Sequence, residues 1–263
     1  MAFHLSTAAK GAGALVFASA LTFSAAVQAT VVEIRTNMGN IQVNLFDQLT
    51  PRTVDNFLTN YVVPGAYANN VAHRSVPDFI VQMGGFQYTN TFPPEAISTA
   101  AAVVNEPVLS NLRGTVAMAK VGGNPNSATS QFFINTNDNQ ANLDVQNGGF
   151  TVFGQVIGDG MTVVDAISEL TRFGFSSPFN EIPLRNYTAA DLNNNVNPTD
   201  NNLVIITDVV VIDAAVNTNP NLNPTRNTLI NRPPAEVGGD SGGSMGILLL
   251  LGLFLLGLKR RLL

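Results

Sequence analysis

The polar residues of this chain leave few kinds of chemistry open. Its 263 residues include no cysteine and two histidines, which excludes thiolate nucleophiles and cysteine-ligated metals and argues against a histidine-based zinc site. Two segments instead combine arginine or glutamine with aromatic residues: HRSVPDFIVQMGGF at 73–86 and SATSQFFIN at 127–135. Arginine stays charged and presents a fixed fork of N–H donors, so such a set suits hydrogen-bond donation to a bound group. Taken alone, each residue has a plainer interpretation, since a single arginine is usually solvated and a single strand phenylalanine usually lies in the core.

Short strands and two helices are predicted around both segments. Residues 31–35 and 41–45 alternate apolar and polar side chains on either side of a turn, which predicts a hairpin. Thr50 as N-cap with Pro51 at the first position predicts one helix, and a second is predicted after Gly160. Further strands are predicted at 79–81, 115–118, 132–134, 151–153 and 204–212. Many short strands with only two helices favour a mainly β fold, a closed antiparallel barrel.

The domain plan follows from composition. Residues 30–214 are predicted to form a single folded domain, in which the loop-rich, polar stretch 173–202 is an insertion before the last strand. Residues 215–244 are rich in Asn, Pro and Gly and are predicted to be a linker. Between the terminal segments, 9 basic residues face 18 acidic ones, because Lys10 and three basic residues after 258 account for the rest of the 13. This acidic body without clustered Lys and Arg argues against nucleic acid as a partner.

Both ends are predicted to be targeting segments. Lys10, the apolar stretch 11–27 and the small residues before Ala29 indicate a secretory signal peptide over 1–29; an N-terminal membrane anchor is the alternative. Residues 238–244 are glycine-rich, 245–258 are apolar, and a basic cluster follows at 259–261. An apolar run of this length is short for a membrane span, which needs about 20 residues. This order resembles the GlyGly-CTERM sorting signal, with a plain tail anchor as the alternative, and either would bring the segment 245–263 into membrane contact before processing.

Five motifs follow one another in a recognisable order. They are the segment 73–86, RGTVAMA at 113–119, the segment 127–135, Leu143-Asp144, and VFGQV at 152–156. The first resembles F-H-R-x-x-x-x-F-x-x-Q-x-G-[DG]-F and the third S-x-x-S-Q-F-F-I of cyclophilin-type peptidyl-prolyl cis-trans isomerases, and the third is most similar to bacterial periplasmic members. The resemblance covers residues 31–212. It implies a closed eight-stranded antiparallel β-barrel capped by two α-helices, and a monomeric enzyme that needs no cofactor or metal and acts on proline-containing polypeptides of exported proteins.

The chemistry of that family requires the residue types found here. An X-Pro bond rotates through a twisted state in which amide resonance is lost, over a barrier of about 18–20 kcal/mol. A guanidinium that donates to the substrate carbonyl or to the pyramidalising prolyl nitrogen stabilises this state more than either planar isomer. By resemblance, Arg74 is the catalytic donor. The other residues that the resemblance assigns to substrate binding are His73, Phe79, Ile80, Gln82, Ala119, Gln131, Phe133, Leu143 and Phe150.

Within this set the resemblance implies distinct roles. The proline pocket is formed by Phe79, Ile80, Phe133 and Leu143, and Phe150 stands where other members place His or Tyr against that pocket. Gln82 orients Arg74 and the substrate backbone, whereas His73, Ala119 and Gln131 line the groove. Because a strand alternates its faces, Phe133 in the pocket requires Phe132 in the core.

Three positions depart from the family pattern. Asn142 stands where many members have Trp or Phe, and the chain has no tryptophan, which implies weak cyclosporin binding. Ala72 replaces the Phe before His73, and Met83 stands where Gly is common. Two other functions therefore remain open: a non-catalytic module on the cell surface that binds proline-containing peptides, and a purely structural surface protein.

Overall fold

The computed structural model of the chain describes residues 30–215, 218–219 and 221–231. The predicted signal peptide and the predicted apolar segment 245–263 lie outside the described residues. Within those residues, no helix combines the length and hydropathy that crossing a bilayer requires.

The described residues form thirteen strands and four α-helices. The strands are β1 Val31–Thr36, β2 Gly39–Leu45, β3 Asn70–Val71, β4 Arg74–Val76, β5 Ile80–Met83, β6 Phe86–Gln87, β7 Glu95–Ala96, β8 Thr115–Met118, β9 Phe132–Asn135, β10 Val152–Ile157, β11 Arg172–Phe173, β12 Ile182–Pro183 and β13 Ile205–Asp213. The helices are α1 Pro51–Phe57, α2 Gln140–Leu143, α3 Gly160–Ser168 and α4 Ala189–Asn193, with a π-helix at Leu58–Val62 and a 3₁₀-helix at Gln146–Gly148.

Eleven of these strands share one antiparallel sheet, in the order β4-β5-β9-β8-β10-β2-β1-β13-β3-β6-β7. The predicted mainly β fold is confirmed, but the described residues form four α-helices where two were predicted, and the sheet differs from the predicted closed eight-stranded barrel in its strand count and in having two ends. The reason lies between β3 and β4. The Ala72 N–H donates to Val204 O and the next N–H, that of His73, donates to Gln82 O. Within one residue the backbone thus leaves its pairing with β13 and begins its pairing with β5. Strands β3 and β4 are joined by the chain and are not hydrogen-bonded to each other.

The predicted N-terminal hairpin is present, with Val31 opposite Asn44 and Thr36 opposite Gly39. Helix α1 begins at Pro51 as predicted, but Thr50 does not cap it with its side chain. The Thr50 hydroxyl donates instead to Phe46 O at 3.4 Å, because the chain enters the helix from a tight turn that brings this carbonyl within reach.

The main core lies on the inner face of the sheet, under α1 and α3. Phe132 packs there at 5.6 Å from Phe57 and 5.5 Å from Tyr67, measured between ring centroids. Its neighbour Phe133 belongs to a separate apolar cluster. The two phenylalanines therefore lie on opposite faces of β9, as strand alternation requires.

The stretch 173–202 is loop-rich as predicted, but it is less polar in its packing than the sequence suggests. It contributes five buried side chains to an apolar cluster on Val71 and Leu203, namely Phe173, Phe179, Ile182, Leu184 and Tyr187. Single apolar residues separated by polar ones give no helical or strand period, so the sequence does not display this cluster. The cluster fixes the insertion against β3 and places Glu181 beside β4.

Residues 218–219 and 221–231, which we call the C-terminal strap, lie beyond the predicted domain end at residue 214 and contact the domain. The Ser110 N–H donates to Thr225 O at 2.9 Å, and the Asn227 N–H donates to Val108 O at 3.0 Å. Leu222 packs against the cluster that contains fully buried Leu109. These contacts continue the fold beyond the predicted domain end.

Ending the chain after residue 214 is therefore expected to lower the free energy of unfolding by about 2–4 kcal/mol relative to residues 30–231, through lost hydrogen bonds and apolar burial. Urea denaturation followed by circular dichroism measures the difference. Asn227→Ala in the longer chain should reproduce about 1 kcal/mol of it. Equal stability of the two lengths would contradict a structural role for the strap.

Candidate functional site

Strand register brings three of the predicted site residues, Arg74, Gln82 and Phe133, into one row. Arg74 on β4 lies opposite Gln82 on β5, Gln82 lies opposite Phe133 on β9, and Phe133 lies opposite Ala117 on β8. Directly opposed residues of antiparallel strands project to the same face. A charged donor, an amide and an aromatic ring therefore stand side by side across three strands.

An apolar cluster adjoins this row. Ile80 lies two residues before Gln82 on the same face of β5, and it is buried together with Phe133, Leu143 and Phe150. The rings of Phe133 and Phe150 meet edge to face, with centroids 5.8 Å apart. Half-buried Phe79 and Ala119 pack on the margin of the cluster.

The loop that carries Leu143 is fixed by a buried carboxylate. Asp144, which is fully buried, accepts from the Ser110 hydroxyl at 2.7 Å. It also accepts from the Asn111 backbone N–H at 2.8 Å and the Asn111 side-chain amide at 3.0 Å. These three donors tie the Leu143 loop to the segment on which the C-terminal strap lies.

Two glutamines of the predicted set bind each other. The Gln82 amide nitrogen donates to Gln131 Oε1 at 2.9 Å, and Ala119 lies beside Gln131 through an N–H···O bond of 2.9 Å. The Gln131 side chain crosses Gly85 so closely that a Cβ there would lie 2.6 Å from its Cδ. A glycine at position 85 thus leaves room for Gln131 to reach Gln82.

Arg74 is held by a residue that the sequence does not single out. Its Nε donates to Glu181 Oε2 at 2.9 Å. Gln82 was predicted to orient Arg74, yet the hydrogen bond of the Gln82 amide goes to Gln131. Arg74 Nη1 and Gln82 Oε1 are both buried and, among the described residues, neither finds a hydrogen-bond partner. Since buried polar atoms are ordinarily paired, these two are available to a bound polar group.

His73, which was predicted to line the groove, is a buried residue. It is only 2% exposed, and its ring meets Phe86 edge to face with centroids 4.7 Å apart. Burial lowers the pKa of His73 to about 3, so the ring is neutral at physiological pH. It is not positioned as a proton donor for a bound substrate.

This low pKa predicts an acid-sensitive fold. Between the unfolded value of 6.5 and the folded value of about 3, the unfolded chain binds a proton that the folded chain does not. The contribution of neutral, buried His73 to the free energy of unfolding is therefore complete above pH 6.5. It falls with acidification by up to about 1.4 kcal/mol per pH unit. We expect a loss of about 2–3 kcal/mol between pH 7 and pH 4.5 by urea denaturation, most of it absent in His73→Gln. The same pH dependence in that variant would contradict the assignment.

Lys120 is a second residue at the site that the sequence does not single out. Its ammonium donates to Asn147 O at 2.9 Å and Gly149 O at 2.6 Å. It also lies 4.6 Å from the centroid of the Phe150 ring. Desolvation lowers the pKa of Lys120 to about 8. The side chain braces the loop before Phe150, and only its place after the RGTVAMA motif could have drawn attention to it.

The site combines charged, polar and apolar groups that a bound ligand could contact. The described part of the chain holds no group of three or more metal-ligating side chains. The site offers a guanidinium whose Nη1 has no partner among the described residues, two amides and a buried apolar cluster, which together suit a peptide with an apolar ring.

Comparison with known proteins identifies the class. The family model described as cyclophilin type peptidyl-prolyl cis-trans isomerase/CLD matches residues 31–189. A peptidyl-prolyl cis-trans isomerase of Acinetobacter baylyi is 42% identical over 160 residues, covering 60% of this chain and 81% of the relative. Peptidyl-prolyl cis-trans isomerase B of Escherichia coli is 38% identical over 159 residues, covering 58% and 92%. A solved cyclophilin of Cryptosporidium parvum aligns with a TM-score of 0.49 at 23% identity, covering 70% and 98%.

The chain therefore belongs to the cyclophilin family. Within that family it is a peptidyl-prolyl cis-trans isomerase, an enzyme that interconverts the two isomers of X-Pro peptide bonds.

Proposed function

We propose that this chain accelerates X-Pro rotation in exported polypeptides by stabilising the twisted amide with Arg74 above an apolar proline pocket. The observation that carries the proposal is the row of Arg74, Gln82 and Phe133. Two buried polar atoms of that row, Arg74 Nη1 and Gln82 Oε1, lack partners within the described structure. They lie beside the apolar cluster, as a peptide with a polar backbone and an apolar proline ring requires.

Arg74 acts on the amide itself. In the planar isomers the prolyl nitrogen shares its lone pair with the carbonyl, and this conjugation sets the barrier of about 18–20 kcal/mol. As the bond twists, the nitrogen becomes pyramidal and able to accept a hydrogen bond. A guanidinium N–H that donates at this stage binds the transition state better than either ground state and so accelerates rotation.

The apolar cluster holds the proline ring while the amide turns. Phe133 and Phe150 supply the aromatic walls, and Ile80, Leu143 and the half-buried Phe79 complete the hollow. Gln131 and Ala119 line the margin and bind the substrate backbone, with Gln82 linking Gln131 to the Arg74 row. Fixing the ring confines the motion to the peptide group that precedes the proline.

The predicted targeting segments support the proposal that this activity lies outside the cytoplasm. The segments 1–29 and 238–263 carry the patterns of an export signal and a sorting tail. Substrates are then proline-containing polypeptides of the periplasm or cell surface. Their folding is slowed by X-Pro isomerisation, which takes about 10–100 s uncatalysed at 25 °C.

Exchange NMR on an Ala-Pro-Phe peptide tests the proposal. Wild-type protein is expected to produce cis–trans exchange cross-peaks at substoichiometric concentration, and Arg74→Ala is expected to abolish them while the peptide still binds. Arg52→Ala removes an exposed arginine outside the row and should leave exchange unchanged. Peptide binding by folded wild type without exchange would support the non-catalytic binding module instead.

A further inference from the structure

The contact between Arg74 and Glu181 joins the site to the insertion. The Nε–Oε2 distance is 2.9 Å, and the two residues are 107 positions apart in the chain. The contact uses the Nε–H of Arg74 and leaves its terminal nitrogens for other partners. Of these, Nη1 is buried and unpartnered among the described residues.

Glu181 is held in place by its backbone. Its carbonyl accepts from the Ser75 N–H at 2.9 Å, next to Arg74 on β4. The following residue, Ile182, is fully buried in the cluster with Phe179 and Val71. The main chain at 181 therefore stays fixed whichever side chain it carries, and only the carboxylate reaches Arg74.

The ion pair has little to contribute to stability. The side chains of Arg74 and Glu181 are 15% and 36% exposed, and partly exposed pairs of this kind add little to folding. The larger consequence of a carboxylate at this place is its effect on the orientation of the guanidinium. Arginine is long and has several rotatable bonds, whereas its guanidinium is planar. Fixing the Nε–H direction therefore fixes the plane and directs both terminal nitrogens.

We infer that Glu181 is a positioning residue, which sets the guanidinium plane of Arg74 so that Nη1 faces the bound prolyl amide. This inference rests on the proposed function of Arg74. It gives the insertion 173–202 a role in catalysis, because the insertion supplies the carboxylate. Preorganisation of a donor before the amide twists avoids reorganisation at the moment of reaction, where a misplaced group reduces rate.

Substitution of Glu181 in the full chain tests the inference. Glu181→Ala is expected to lower kcat for an Ala-Pro-Phe peptide about tenfold with little change in KM, because the loss falls on the transition state. Glu181→Gln still accepts a hydrogen bond through its amide oxygen and should restore most of the rate. The matched control is Glu33→Ala, which removes a carboxylate bound to the Nε of exposed Arg35 at 2.8 Å and should have no effect.

Two further measurements separate positioning from structural damage. In the Arg74→Lys background, which keeps measurable turnover, Glu181→Ala should cause no further loss of rate, since a lysine has no guanidinium plane for the carboxylate to set. The Arg74 Nε–H resonance should shift in Glu181→Ala and remain near its wild-type position in Glu33→Ala.

Three results would overturn the inference. They are wild-type kcat in Glu181→Ala, a further loss of kcat of about tenfold in the Arg74→Lys background, and an unmoved Nε–H resonance in Glu181→Ala. Failure of the proposed function has a different signature, namely no exchange catalysed by wild type, while the resonance would still report whether Glu181 orients Arg74.

Discussion

Replacing Arg74 with lysine is expected to lower kcat/KM for an Ala-Pro-Phe peptide about a hundredfold, although the positive charge is kept. The guanidinium satisfies two demands at once: its Nε–H binds Glu181 at 2.9 Å, and its buried Nη1 is left for the substrate. A lysine ammonium carries its three N–H donors on one nitrogen at the end of a flexible stem, so its capture by Glu181 would draw all three away from the prolyl amide. Exchange NMR or a protease-coupled assay measures the loss.

The control for this substitution is Arg35→Lys, because Arg35 makes the same type of Nε–carboxylate contact with Glu33 at 2.8 Å. It lies on β1, outside the row, and should retain wild-type kcat/KM. If Arg74→Lys kept activity within about threefold of wild type, the hypothesis of directional donation by the guanidinium would be wrong. A positive charge at position 74 would then be enough for catalysis.

Asp144→Ala is expected to lower the free energy of unfolding by about 3–5 kcal/mol. The substitution leaves the Ser110 hydroxyl and both Asn111 donors without their shared acceptor, at a position with no exposed surface. Urea denaturation measures the change. Residual folded protein should also turn over substrate more slowly, because Leu143 is no longer held against Phe133 and Phe150.

An exposed aspartate provides the comparison. Asp200→Ala removes a carboxylate from the surface and should change stability by about 0.5 kcal/mol or less. A loss below about 1 kcal/mol in Asp144→Ala would show that the Ser110–Asn111 segment finds other acceptors and that the Leu143 loop is fixed elsewhere.

Local rules were enough for part of the fold. Alternation placed β1 and β2 correctly, and Pro51 marked the first residue of α1. Alternation also assigned Phe132 and Phe133 to opposite faces, as their separate clusters confirm. These successes depend on neighbours in sequence, whose relation is set by the period of the element that contains them.

Contacts across long sequence separations were beyond such rules. Glu181 sits in a polar stretch with no periodic signal, and only the burial of Ile182 and Phe179 brings it to Arg74. The contacts of the C-terminal strap were not apparent from the sequence for the same reason. Asn227 looks like linker composition, yet its amide donates to the backbone carbonyl of Asp144 at 2.9 Å. The open order of the sheet was also hidden, because it depends on a change of partner between Ala72 and His73.

The pairing of β1 with β13 sets the order in which the molecule can be completed during synthesis. Val31 on β1 and Asp213 on β13 lie opposite each other. The outer edge of β1 therefore stays unpaired until β13 has been synthesised. Until then the hairpin of β1 and β2 presents an unpaired edge, which is a template for association with other chains. Closing so distant a contact is slow because the loop entropy must be overcome first. We therefore expect the domain to fold slowly and to be prone to association with other chains until β13 pairs with β1.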